Sequence, residues 1–124
     1  MTSIYLNEIN TINGKIGRVD FSGCINLRKI NIPDNVVVIQ REAFKDCQML
    51  TQLDISDRSN LKTIESYAFL NCGSLNELRL PKSIRTIEEN AFSGCYNLKI
   101  VYVPKQCIDI SPTAFPSSTE IIYY

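Results

Sequence analysis

Phenylalanine recurs at positions 21, 44, 69, 92 and 115, so the chain repeats itself in steps of 23, 25, 23 and 23 residues. Four of these sit in near-copies of one phrase: Phe21-Ser-Gly-Cys24, Ala43-Phe-Lys-Asp-Cys47, Ala68-Phe-Leu-Asn-Cys72 and Ala91-Phe-Ser-Gly-Cys95. The fifth, Ala114-Phe-Pro-Ser-Ser118, carries serine in place of cysteine. A fixed step of roughly 20–50 residues marks a stacked repeat, because one unit cannot bury its apolar stripe alone and must share it with the next.

The spacing around each Phe gives the unit its parts. An apolar pair precedes it: Val36/Ile39, Leu61/Ile64, Ile84/Ile87 and Cys107/Ile110. An apolar triplet follows it: Leu27/Ile30/Ile32, Leu50/Leu53/Ile55, Leu75/Leu78/Leu80 and Leu98/Val101/Val103. The last two members of each triplet alternate with a polar residue, the period of a half-buried strand. Pro33, Pro81 and Pro104 come next and stop that strand, having no N–H to give to a ladder. Ser56 replaces the proline in the one repeat that is two residues longer, and Ser56–Asn60 reads as a surface bulge. The Ala-Phe-x-x-Cys segments predict one helical turn each, with Ser111 before Pro112 as an N-cap.

Both ends are irregular. Residues 1–20 keep Ile9 and Ile16 on apolar slots but place Asn13 and Asp20 where apolar or small residues belong, which predicts a degenerate first coil or cap, with Ile4 and Leu6 adding a strand. Tyr124 falls nine residues after Phe115 with no polar cap, an open edge expected to be either a truncation or a docking surface, the latter able to pair with another copy.

These residues resemble the BspA-type leucine-rich repeats, found in surface proteins of anaerobic bacteria and expanded in some protozoan parasites. The stretch Ile32-Pro33-Asp-Asn-Val36-Val-Val-Ile39-Gln-Arg-Glu-Ala43-Phe44-Lys-Asp-Cys47-Gln-Met-Leu50 matches nearly every slot of that repeat, and Leu80–Leu98 does so again. The departures are Ser56 for Pro, the two-residue insertion, Ser118 for Cys, and the first twenty residues. The resemblance implies a mostly β solenoid of about five coils, with a curved parallel sheet on its concave face and short helical turns and extended segments elsewhere. Residues 1–124 then form a single domain, 1–20 its irregular first coil and 21–124 its repeats. The family brings no shared catalytic residues.

The chemistry available to the chain is narrow. Histidine is absent, which removes Cys–His and Ser–His nucleophilic pairs and every His-based metal site. Asp and Glu are scattered with no enclosed pocket implied, so no catalytic residue, cofactor or metal is expected. Cys24, Cys47, Cys72 and Cys95 stack at one-coil spacing and so invite a metal or redox reading. No C-x-x-C is present, and thiols pointing one way into an apolar interior are inert. Five cysteines cannot close a disulfide set, and Cys107 occupies a slot held elsewhere by Val36, Leu61 and Ile84. Reduced core thiols are the expectation.

Function is expected on the polar strand positions. Lys29, Gln52, Glu77, Ile100 and Tyr123 form one row on the concave face, and Asn31, Asp54, Arg79 and Tyr102 a second. Asp54 and Arg79 sit side by side as a lateral pair, and Ile100, Tyr102 and Tyr123 form an aromatic-aliphatic cluster beside charges, a composition enriched at interfaces. The plainer account of that cluster is that Tyr and Ile are good strand residues. The expectation is a protein-binding module without catalysis. Its alternatives are a structural segment of a bacterial or protozoan cell-surface adhesin and a self-assembling unit joined through its C-terminal edge.

Thirteen basic and thirteen acidic residues cancel, and no basic cluster exists for nucleic acid. No apolar run approaches the ~20 residues that span a bilayer, and the N-terminus lacks the form of a signal peptide. As it stands the sequence reads as cytoplasmic, and as cell-surface if it is a fragment of a longer exported protein.

Overall fold

The computed structural model describes residues 3–5, 14–18 and 20–124. Its strands alternate between two faces. One face is built from β1 (Ser3–Tyr5), β3 (Lys29–Ile32), β5 (Gln52–Ile55), β7 (Glu77–Arg79), β9 (Ile100–Val103) and β11 (Glu120–Tyr123). The other is built from two-residue strands: β2 (Lys15–Ile16), β4 (Val38–Ile39), β6 (Thr63–Ile64), β8 (Thr86–Ile87) and β10 (Asp109–Ile110). Every pairing is parallel and joins one coil to the next. This is the leucine-rich-repeat solenoid, and the longer strands line its concave face.

Register follows from the alternation. In β3 and β9 the inward residues Ile30, Ile32, Val101 and Val103 are buried, while the polar or aromatic residues between them remain partly exposed. Ile30 then faces Leu53, and Leu78 faces Val101. On the second face Ile16, Ile39, Ile64, Ile87 and Ile110 fall into one column. A one-residue slip would turn these columns to solvent, so burial locks the register.

The five Phe rings form a continuous spine. Successive centroids from Phe21 to Phe115 lie 5.0–5.2 Å apart, and the planes are within 15° of parallel. Phe44, Phe69 and Phe92 are 0% exposed, whereas Phe21 and Phe115 at the two ends are partly buried.

The segments around Phe are not helical. Each is a series of tight turns, with Ala43 N donating to Gln40 O, Cys47 N to Phe44 O and Leu50 N to Cys47 O. In the three central turn series two positions adopt left-handed backbone, Glu42, Tyr67 and Asn90 two residues before Phe and Asp46, Asn71 and Gly94 two after it, and Gly23 does so after Phe21. A left-handed residue every four positions cannot propagate an α-helix. It aims backbone groups along the stack instead: Phe44 N donates to Ala68 O and Asp46 N to Leu70 O, both at 2.8 Å, and Phe69 N and Asn71 N repeat this to Ala91 O and Ser93 O. The turns thus add a third hydrogen-bonded column. Ser111 does cap, its Oγ accepting from Thr113 N at 3.3 Å, but it caps a turn.

The first coil is less degenerate than its sequence. β1 pairs with β3 and β2 with β4, so residues before Phe21 supply both strands of a coil. Leu6, Ile9 and Asn13 lie outside the described residues.

The concave sheet has one interruption. The second face is a continuous five-stranded sheet, β10-β8-β6-β4-β2, but the concave face divides into β1-β3-β5 and β11-β9-β7. Strands β5 and β7 lie side by side without a ladder. The break follows the only 25-residue step, whose extra length lies between Ile55 and Leu61. That bulge is held by local bonds: Ser59 N to Ser56 O, Leu61 N to Ser59 Oγ, and Asn60 to the Asp34 carbonyl through both its backbone and its side-chain amide.

Candidate functional site

The two predicted rows assemble across the concave face. Lys29 is in register with Gln52 and Glu77 with Ile100, while Asn31 faces Asp54 and Arg79 faces Tyr102. Tyr123 does not join them. It pairs with Val103, on the inward side of the alternation, and is 53% exposed because nothing described here covers that end. The rows end instead in Glu120, opposite Ile100, and Ile122, opposite Tyr102. The reason is a shortened last coil, which takes five residues from Phe115 to Glu120 where the coil before takes eight from Phe92 to Ile100. The cysteine turn is missing there. Thr119 bridges the shortcut, its N–H on Pro116 O at 3.0 Å and its Oγ1 on Leu98 O at 2.7 Å.

The expected lateral pair between Asp54 and Arg79 does not form. Asp54 turns to its own side of the break, 3.5 Å from Lys29 Nζ, and accepts from Gln52 Nε2 at 3.1–3.2 Å. Arg79 turns the other way. Its guanidinium lies 4.2 Å from the ring centroid of Tyr124 and 5.8 Å from that of Tyr102. Tyr124 is fixed in turn by its hydroxyl, which donates to Leu80 O, and by its N–H, which donates to Val103 O. Burial pushes the Tyr124 phenol upward, partly offset by the Arg79 charge. Cation–π stacking of this kind supplies roughly 0.5–2 kcal/mol, more when water is excluded. Tyr124 has no repeat slot that predicts this role, and its position became readable only with the shortened coil.

Over β5, reaching from the end of β3 across the break to β7, lies an open groove of about 1200 Å³, lined by residues 31–35 and 51–56 and by Asn76, Glu77 and Arg79. Its carboxylates are Asp34, Asp54 and Glu77, and its cation is Arg79. Spacing alone marked the place through the 25-residue step, but the strand break could not be read from it.

The cysteine column has a polar role besides filling space. Cys47, Cys72 and Cys95 each donate their S–H to the carbonyl of the preceding coil's Phe (Phe21, Phe44 and Phe69) at 3.1–3.2 Å. Each of these carbonyls also accepts a backbone N–H within its own coil (Cys24 N on Phe21 O, Cys47 N on Phe44 O, Cys72 N on Phe69 O), so the thiol fills the second lone pair with a weak bond that ties one coil to the next. All five cysteines are free. Hydrogen bonding with the thiols of Cys47 and Cys95, together with burial, pushes the Cys72 thiol well above its ordinary range, and burial raises Cys24 and Cys107. Such thiols stay protonated and unreactive at neutral pH. Among the described residues no group of three His, Cys, Asp or Glu is placed to hold a metal ion.

The repeat pattern described as the BspA type leucine rich repeat region matches residues 1–122 in six copies. The chain belongs to that family. Its backbone superposes on a leucine-rich cell-surface protein from Faecalibacterium prausnitzii with a TM-score of 0.85 and 27% sequence identity, over 99% of this chain and 32% of that one. A leucine-rich repeat protein of Treponema pallidum matches at a TM-score of 0.57 and 21% identity, covering 98% of this chain and 72% of that one. One from Bacteroides ovatus matches at 0.57 and 22%, covering 99% and 42%. The chain thus spans about a third of the F. prausnitzii protein. Curated proteins yield no match. No helix among the described residues is long and apolar enough to cross a membrane.

Proposed function

We propose that this chain is a non-catalytic module that binds a protein partner on its concave face. The observation that carries the reading is the clustering of Arg79, Tyr102 and Tyr124 beside an open groove. Aromatic residues and arginine dominate interface energetics, and here the arginine is pre-oriented by its two rings, which lowers the cost of ordering it on binding. Lys29, Asn31, Gln52, Asp54 and Glu77 supply the polar part of the same face, and Ile100 adds an apolar contact opposite Glu77.

The test is capture of a partner from the source cells on immobilised protein, comparing wild type with Arg79→Ala, Tyr102→Ala and Tyr96→Ala. Tyr96 is 75% exposed on the turn side, away from the concave strands. Loss with the first two variants and retention with the third is expected. Equal recovery with all variants removes the concave-face reading.

A second reading is favoured by one comparison: the F. prausnitzii relative is described as a cell-surface protein, and this chain spans a third of it. On that reading the repeats are one segment of a longer surface solenoid. Labelling intact cells with antibody to this chain tests it, and signal found only after lysis counts against it.

A further inference from the structure

We propose that the break between β5 and β7 is a binding groove for an extended peptide segment carrying a basic side chain, a reading that rests on the concave-face proposal and narrows it. Three observations converge. The first is backbone. Asn76 O accepts from Lys99 N and Leu80 N donates to Tyr102 O, so alternate groups of β7 serve the ladder with β9. Backbone groups point to opposite sides in turn along a strand, and those of Glu77 and Arg79 therefore face β5, where no ladder exists. The two strands still lie within contact distance, closer than the ~10 Å an intervening strand needs, so a peptide lies over this unladdered seam rather than between the strands.

The second is side-chain chemistry. Asn31 and Asn76 line the groove without side-chain hydrogen bonds to other described residues, each offering the paired donor and acceptor that complement a peptide group. The third is charge. Asp34, Asp54 and Glu77 outnumber Arg79 in the lining, and Arg79 is drawn over Tyr124 and Tyr102, away from the carboxylates. Asp34 and Glu77 form no ion pair with another described residue. Asp54 is shared with Lys29, so the negative charge left to attract a lysine or arginine is that of Asp34 and Glu77. A carbohydrate is less well matched, because the Tyr102 and Tyr124 faces on which a sugar ring would stack are turned to Arg79.

The experiment pans displayed random peptides of about eight residues, long enough when extended to cross the break, against the full chain. The most enriched peptide is synthesised, along with its counterpart bearing Glu for each Lys or Arg. Enrichment of basic sequences is expected, with amide NMR shifts at residues 52–55 and 76–79. Affinity should fall at least about tenfold in Asp54→Asn/Glu77→Gln, the scale of one charge-assisted hydrogen bond, and stay unchanged in Tyr96→Ala. The Asn and Gln replacements keep side-chain shape at surface positions, and an unchanged melting curve confirms the fold. No enrichment, enrichment without basic residues, tight binding of the Glu counterpart, or affinity unchanged in the double variant overturns the proposal. So does a glycan that shifts the same amides while peptides do not. Partner capture lost with Tyr102→Ala but kept by the double variant sinks the groove alone; capture kept by both sinks the concave-face reading as well.

Discussion

Removing Phe69 tests whether the spine holds the coils together. Its ring is fully buried and stacks at 5.0 Å on Phe44 below and Phe92 above. Truncation to alanine forfeits the transfer of the ring from water and leaves a cavity, together roughly 3–5 kcal/mol. Two ring contacts worth about 0.5–1.5 kcal/mol each lie within that loss. Because a domain of this size is stable by only ~5–15 kcal/mol, the variant should unfold at markedly lower urea, and its far-UV signal should reveal this. Phe21→Ala is the control. That ring is partly exposed and, among the described residues, stacks only on Phe44, so its loss should cost about half as much or less. In double variants, Phe44→Ala with Phe69→Ala should be non-additive, since the rings touch. Phe21→Ala with Phe92→Ala should be close to additive, since these rings share no ring neighbour in the spine. If Phe69→Ala costs under about 1 kcal/mol, or no more than Phe21→Ala, the spine is not what joins the coils.

Other outcomes can be checked on the same protein. Gly94→Ala should destabilise more than Gly23→Ala in urea melts: both have left-handed backbone, costing a side chain roughly 1–2 kcal/mol, but a Cβ at 94 would sit 2.3 Å from Asn71 Oδ1 and one at 23 meets nothing. Stability should fall as pH rises above about 8.5, the ordinary thiol range. The folded state holds Cys72 protonated, so its contribution is complete below the unfolded pKa and is lost as pH climbs toward the folded one, by up to about 1.4 kcal/mol per pH unit, while Cys47, lowered by its hydrogen bond with Cys72, offsets part of that loss. The fall should be shallower in Cys72→Ala. Iodoacetamide on native protein should modify the half-buried Cys24 before Cys47, Cys72 and Cys95, as read by mass spectrometry. Amides of Glu77 and Arg79, facing the break, should exchange hydrogen faster than those of Leu78 and Tyr102 in the β7–β9 ladder.

Much of the architecture was readable from spacing, because in a stack the same slot recurs in the same environment. The Phe column, the alternation in Lys29–Ile32 and the pairing of one coil with the next all follow from a period that repeats. The turn conformation was legible and missed. Gly, Asp, Asn and Gly two residues after Phe are the residue types that tolerate left-handed backbone, and their recurrence argued against the helical turn.

What the sequence by itself determined is the coil: which side chains point inward, where each strand stops, and that neighbours must share a core. What only tertiary structure decided is everything that depends on the offset between coils. A two-residue surplus after Ile55 and a three-residue deficit after Phe115 change no local preference, yet they set whether β5 meets β7 and whether Tyr123 or Ile122 continues the concave row. Local propensity is blind to that offset because hydrogen-bond register and cation–π contact are properties of two chain segments at once, and Arg79 chose Tyr124 over Asp54 only after the coils had been placed.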